Sequence, residues 1–316
     1  MARRRRGRAI DGWIAIDKPA GMTSTQVVGQ VRRLLDAAKL GHAGTLDPIA
    51  TGVLPIALGE ATKTIAHLAE RPKTYRFQLR WGEQRTTDDC EGAVVKTAPG
   101  RPDAGAIRAA LPRFVGAIEQ VPPAFSAVKI GGERAYDLAR ANQPVVLGPR
   151  IVNVYRFELL GQPDADHAEF LVECGSGTYM RALARDLALA LGTLGHVSAL
   201  RRMKVGPFTE NTAITLDYLR GLGHSPPPIA PVETVLDDIP ALAVTGAEAS
   251  RLRSGQSIAL LRRADIDRLE GLEDGAEVCV MSEGRAVALA RRDGATVRPV
   301  RVLNPLFEGA TDVDHP

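Results

Sequence analysis

Three cysteines, Cys90, Cys174 and Cys279, are all that this 316-residue chain contains, and they lie far apart. An odd, scattered set without metal-like spacing argues against a disulfide framework and fits a reducing compartment. Aromatic residues are scarce at 4%, so each one in a polar setting is informative. No stretch approaches the roughly 18–20 apolar residues needed to cross a bilayer. The basic start, Arg3 to Arg6 with Arg8, leads into no apolar signal region and reads as a disordered tail over residues 1–11. A large excess of one charge is also lacking. The formal net charge of +3 is too mild to announce a nucleic-acid binder, although local basic clusters remain. The expectation is a soluble cytoplasmic protein with no membrane partner and, without a sustained apolar heptad, a monomer.

Ordinary catalytic constellations are missing too. The glycines at 52 and 59 are followed by Glu60-Ala61 rather than Lys-Ser/Thr, so no P-loop is present. The six histidines never pair at helical metal spacing, and there is no Gly-x-Ser-x-Gly elbow. No metal is expected.

What is present is a real core: 45% of residues are hydrophobic and 24% charged, enough for one large domain and a small one. Residues 12–18 read as a short strand stopped by Pro19. Thr23 or Ser24 caps a helix with Val27, Val28, Val31, Leu34 and Leu35 at helical spacing. Residues 39–52 read as loop and 53–58 as a buried strand. Residues 73–81 alternate, with Tyr75, Phe77, Leu79 and Trp81 facing one way. A second alternating strand, 152–160, sets Tyr155, Phe157 and Leu159 against Arg156 and Glu158. A strand at 168–174 runs into Gly175-Ser176-Gly177-Thr178, read as turn and N-cap of a helix carrying Met180, Leu183, Leu187 and Leu191. Strands mixed with helices, lacking a strict β-α-β rhythm, predict an α+β fold around a mixed, largely antiparallel central sheet with flanking helices.

The proline-rich segment Ser225-Pro226-Pro227-Pro228-Ile229-Ala230-Pro231 predicts a linker over 225–236. Beyond it lie a Thr245/Glu248 capping box, a hairpin around Ser282-Glu283-Gly284 and a last strand, a small β-rich module over 237–316.

The remaining candidate for chemistry is the loop around Asp47. A carboxylate between Leu46 and Pro48, flanked by Gly41, Gly44 and Gly52, sits on backbone that can approach a ligand closely. The same residues read equally well as an ordinary Asp-Pro turn, and His42 as a surface loop residue. Alone, Tyr75 reads as core packing and Arg181 as a solvated charge in a first helical turn.

The run Gly41-His42-Ala43-Gly44-Thr45-Leu46-Asp47-Pro48-Ile49-Ala50-Thr51-Gly52-Val53-Leu54 resembles the signature motif of the TruB-type tRNA pseudouridine synthases. Five further stretches match in order. Asp17-Lys18-Pro19-Ala20-Gly21-Met22-Thr23-Ser24 resembles the family's opening motif, and Lys73-Thr74-Tyr75-Arg76 its tyrosine strand. The stretch from Gln120-Val121-Pro122-Pro123 to Tyr136 resembles its RNA-contacting insertion (about 120–150). Cys174-Gly175-Ser176-Gly177-Thr178-Tyr179-Met180-Arg181 resembles its arginine motif, and Leu200-Arg201-Arg202 its later basic strand. One departure is Arg85-Thr86-Thr87-Asp88-Asp89-Cys90-Glu91-Gly92, where the usual Thr-Asp-Thr is altered while Asp89 and Gly92 survive.

The resemblance implies a pseudouridine synthase fold over 12–224, followed by a small PUA-like RNA-binding domain. It implies a cofactor-free isomerisation of the uridine at position 55 in the T-loop of tRNA. Asp47 takes the role of essential carboxylate, Arg181 that of its partner and Tyr75 that of the ring packed on the target uracil. His42 is associated with the space left by the flipped base, and Leu200 with the uracil pocket. Lys18, Arg201, Arg202 and Lys129 are expected to contact RNA, with Lys204 and Arg134 as further phosphate candidates. Two rivals remain: a non-catalytic RNA binder or chaperone on the same scaffold, and a glycosidase. The latter requires paired acids, for which Glu60 is the only neighbour.

Overall fold

The computed structural model describes residues 7–304, apart from 127, 131, 132, 142, 144, 224, 262–264 and 266. Of the tail expected to be disordered over residues 1–11, residues 1–6 lie outside the described residues, whereas Arg8 is tied down, its N–H donating to Asp36 O and its carbonyl accepting from Ala38 N. Among the described residues no helix is long and apolar enough to cross a membrane.

A nine-stranded sheet forms the body of the protein. Its main path runs Gly12–Lys18, Thr51–Leu58, Gly195–Val205, Lys73–Trp81, His167–Cys174, Arg150–Asp164 and Gly116–Gln120. Leu40–His42 pairs with Thr51–Leu58, so part of the expected loop is a strand end and carries His42. All pairings in this sheet are antiparallel except one short parallel junction, where Arg201 faces Thr51 and Arg202 faces Gly52. That junction requires glycine. Gly52 has φ +98, and a Cβ there would lie 2.2 Å from the Arg202 carbonyl oxygen.

The alternating strand Lys73–Trp81 buries Tyr75, Phe77, Leu79 and Trp81, as its period of two predicts. Helix Ser24–Leu35 starts with a Thr23/Gln26 capping box and buries Val27, Val31 and Leu35. The helix Met180–Ala190 packs Leu183, Leu187 and Ala188 into the main core.

Three sequence expectations change here. Tyr155 does not join Phe157 in the core. A bulge between Val154 and Arg156 reverses the alternation, burying Val154 and leaving Tyr155 54% exposed. Thr178 is not the helix cap. Its hydroxyl donates to Gly175 O, while Gln120, distant in sequence, brackets Tyr179: its Oε1 accepts from Tyr179 N and its Nε2 donates to Tyr179 O. The proline-rich segment is not a free tether, because Ala230 exchanges two backbone hydrogen bonds with Trp13.

Beyond that segment a five-stranded sheet runs Ala241–Ala243, Glu277–Ser282, Arg285–Asp293, Thr296–Val302 and Ile258–Ala259. Helix Gly246–Arg253 begins with the predicted Thr245/Glu248 capping box. An apolar seam joins this sheet to the main body. Trp13, Phe208, Val232 and Val235 pack in one buried cluster with Cys279 and Leu289.

Candidate active site

The loop carrying Asp47 is held almost entirely through its backbone. Lys18, at 0% exposure, donates from Nζ to Pro19 O (2.8 Å), Pro48 O (3.2 Å) and Ala50 O (2.6 Å). Ser24 Oγ donates to Leu46 O at 3.1 Å and accepts from Leu46 N at 2.9 Å. Gly21 N donates to Pro48 O at 2.8 Å. On the far side Arg202, 1% exposed, donates from Nε to Val53 O (2.8 Å) and from Nη2 to Gly44 O (3.0 Å). Buried cations are tolerated here because each meets carbonyl oxygens instead of water. Burial lowers the Lys18 ammonium to about 8, with the Asp47 charge pulling the other way.

Against this anchored loop stands Arg181. Its Nη2 donates to Asp47 Oδ1 at 3.1 Å, and its Nε lies 3.0 Å from Oδ2 as an ion-pair contact. The expectation of an exposed Arg181 is corrected: the residue is 4% exposed. Helical spacing left it outside the apolar stripe, but two loops cover that side. Nη1 donates to Thr87 O at 2.9 Å, and Nη2 to Phe125 O at 2.8 Å. Asp47 keeps 35% of its side chain open. Burial pushes its carboxyl above the ordinary value; Arg181 opposes this and Asp89 adds to it.

Asp89 is the residue that sequence reasoning undervalued. It is 3% exposed, and its Oδ2 lies 3.5 Å from Arg181 Nη1. Its neighbour Asp88 pairs with Arg185 Nη1 at 2.9 Å. The altered loop is thus docked on the arginine helix by two ion pairs one turn apart. Its only sequence signal was the surviving Asp89 and Gly92. Gln120 was missed in the same way, since nothing local marks a glutamine that holds a helix start 59 residues on.

Tyr75 and Arg202 are cross-strand partners, and Tyr75 is 8% exposed. Burial raises the Tyr75 phenol, with Arg202 as the strongest opposing influence. His42 is half-buried with Nδ1 covered and unpaired, and burial followed by the Arg202 charge lowers its imidazole. Leu200, 7% exposed, lines a groove of about 720 Å³ with Gly21, Ile49, Gln78 and Glu91.

The structure does not present the predicted RNA-contacting cations as free surface charges. Lys18 and Arg202 are enclosed, so neither reaches a phosphate. Arg201 grips Asp17 with two contacts of 3.0 Å and also pairs with Glu210. Lys204 is exposed. Lys129 begins a two-residue strand and Arg134 ends its partner, but their side chains lie outside the described residues. Among the described residues no three His, Cys, Asp or Glu side chains gather to hold a metal.

The chain is similar to known proteins over most of its length. The model of the TruB family pseudouridylate synthase N-terminal domain matches residues 32–180. That of the tRNA pseudouridylate synthase B C-terminal domain matches residues 181–225. The tRNA pseudouridine synthase B of Rhodospirillum rubrum is 54% identical over 307 residues, covering 96% of this chain and 100% of that protein. The protein of the same name from Caulobacter vibrioides is 50% identical, covering 96% of this chain and 99% of its own length. Among solved structures, a Cbf5-Nop10-Gar1 complex aligns with a TM-score of 0.70 at 28% identity, over 93% of this chain and 85% of that one. An H/ACA RNP bound to a substrate RNA containing 2′-deoxyuridine aligns with a TM-score of 0.70 at 25% identity, over 96% and 92%.

Proposed function

Because the chain belongs to the TruB family of pseudouridylate synthases, we propose that it isomerises the uridine at position 55 in the T-loop of tRNA, with Asp47 as essential carboxylate. The observation that carries this reading is a carboxylate with one-third of its side chain exposed, backed by a buried guanidinium at 3.0 Å. A pure RNA binder has no use for that pair. A glycosidase needs a second free acid, and Glu60 is committed to Lys63 and to the Asn304 amide.

The reaction breaks C1′–N1, rotates the uracil and joins C5 to C1′; the proton at C5 leaves as N1 gains one. Atoms and electrons balance within the substrate, so no co-reactant or cofactor is required. Asp47 serves as an ionised group, whether its oxygen attacks C1′ or removes the 2′ proton. Arg181 favours that ionised state against the cost of burial. A stacked base cannot reach the carboxylate, so the nucleotide is extruded, at a cost on the order of a few kcal/mol. Tyr75 packs on the uracil, Leu200 lines its pocket and His42 lies where the stack is vacated.

Structured tRNA is held by its T-arm through shape and phosphate contacts. The division into a catalytic domain over 12–224, with its insertion near 120–150, and a PUA-like RNA-binding domain after the proline-rich segment belongs to the same proposal. So do a monomeric state and a cytoplasmic location.

The test incubates an unmodified tRNA transcript with wild type and with Asp47→Asn, maps pseudouridine chemically and measures binding in parallel. Asp47→Asn is expected to bind with unchanged affinity and form no product. Substantial isomerisation by that variant refutes the role of Asp47.

A further inference from the structure

Arg202 was expected on the RNA surface, and the structure places it inside the protein. Its neighbour Arg201 has two carboxylate partners. Among the described residues Arg202 has none, although it is one of the largest fully buried side chains. Its hydrogen bonds go to the carbonyls of Gly44 and Val53, at the two ends of the loop that holds Asp47. Carbonyls satisfy its N–H groups but do not cancel its charge. A whole positive charge therefore remains in a region shielded from water, where it acts over a longer range than at the surface.

The neighbours show where that charge is felt. Tyr75 faces Arg202 across the strands, so its hydroxyl end lies beside the guanidinium. A Cβ on Gly44 would come within 3.1 Å of Arg202 Nη1, so the guanidinium lies directly under the catalytic loop. Burial lowers the ionisation of His42, Lys73 and Lys18, and the Arg202 charge adds to it in each case. His42, Tyr75 and the Gly44 end of the loop thus surround one uncompensated cation.

On the proposed reaction, which this inference rests on and deepens, cleavage of C1′–N1 sends the bonding pair to the uracil. C1′ then either bonds to an Asp47 oxygen or becomes double-bonded to C2′ as Asp47 takes the 2′ proton. Both routes release the uracil as an N1 anion beside Tyr75. Arg181 shares its charge between Asp47 and Asp89, so that cluster offers no surplus cation, and it lies on the sugar side. We propose that Arg202 is an electrostatic positioning residue for base departure: its carboxylate-free guanidinium, set behind the Tyr75 hydroxyl and the Gly44 carbonyl, stabilises the uracil anion. The stabilisation is present before substrate arrives, so nothing has to reorganise as the charge develops.

The test follows single-turnover consumption of the target nucleoside in two tRNA transcripts, one with uridine and one with 5-fluorouridine. Fluorine makes the uracil a better leaving anion, so its departure needs less help. Consumption is read by nuclease digestion, because the C5–F bond leaves no proton to lose in the last step. Arg202→Gln is expected to slow uridine consumption about 100-fold, a loss of the size seen when one preorganised donor is removed. Its affinity for tRNA should stay near wild type, and its deficit on the fluorinated RNA should be several-fold smaller. Equal deficits on the two RNAs, or no deficit on either, overturn the proposal.

If Arg202→Gln lacks a native unfolding transition, Arg202→Lys decides. A lysine keeps the cation at shorter reach, so it should retain about a tenth of the rate or more, with equal deficits on the two RNAs. A folded Arg202→Lys as inactive as Asp47→Asn overturns the proposal. Wild type that makes no pseudouridine in tRNA refutes the functional reading instead, whatever Arg202 does.

Discussion

The loop around Asp47 and the seam beneath the C-terminal sheet both carry cations, but the two use them in opposite ways. At the loop, Lys18, Arg181 and Arg202 are at most 4% exposed and make most of their hydrogen bonds to backbone carbonyls. At the seam, Arg71 meets Asp237 and Asp238, whose side chains are 63% and 53% exposed. Water competes for the seam pairs and cannot reach the loop contacts. The seam is therefore stabilised by its apolar cluster, with its ion pairs peripheral. The loop is stabilised by polar contacts whose loss leaves buried groups unpaired.

That contrast is tested most severely at Arg181. Arg181→Met leaves Asp89 buried without its cation and Asp47 without its partner. Breaking a buried pair costs roughly 3–5 kcal/mol, to be read from denaturant unfolding. Single-turnover activity should fall by about 100-fold or more. A variant with wild-type stability would show that the guanidinium was never dry. Next comes Lys18→Met, which strips the Pro19 and Ala50 carbonyls of the Lys18 donor while Pro48 O keeps Gly21 N; each stripped carbonyl is worth roughly 1–3 kcal/mol if it stays unpaired. Because Lys18 is enclosed, this variant should slow catalysis while leaving the salt dependence of tRNA binding unchanged. A shallower salt slope would return Lys18 to the phosphate surface.

The pH profile sharpens the same contrast. On the proposed role Asp47 acts ionised, and burial raises its carboxyl, so the rate should fall as pH drops through a value above the ordinary 3.8. Lys18 is lowered to about 8, so its loss of a proton above that pH should loosen the loop and slow the reaction. Lys73 is also lowered to about 8, but its ammonium donates to the Ala69 and Arg71 carbonyls and to none of those holding the Asp47 loop. The alkaline limb should therefore persist in Lys73→Met and vanish in Lys18→Met. The smallest effect is expected at the seam. Arg71→Ala should lower stability by roughly 0.2–1 kcal/mol, as exposed pairs do, with an unchanged rate. A loss of several kcal/mol by thermal unfolding would mean that the seam works like the loop.

Much of the frame was legible in advance because it follows from local rules. Alternation at 73–81, helical spacing from Val27 to Leu35 and the Thr245/Glu248 box each depend on neighbours within a few residues, and each appears in the structure. Where a rule failed, a distant partner had intervened. One bulge reversed the facing of Tyr155, and Gln120 took the place of Thr178 at the arginine helix. The site behaved likewise. Asp47, Tyr75 and Arg181 were named from ordered motifs, and the structure gathers them around one loop. The roles of Lys18, Asp89 and Arg202 were not legible, because burial is a property of what folds over a residue.

The chain by itself determined the alternating strand at 73–81, the Thr23 and Thr245 caps and the motif order that marks the family, since these reside in short-range spacing and residue type. Which cations face water was decided only when distant segments met. Arg201 and Arg202 are adjacent in sequence and similar in chemistry, yet one side chain reaches two carboxylates at the surface and the other lies under the Asp47 loop. Successive residues of a strand point to opposite faces, and only the assembled sheet establishes which of those faces is the inside.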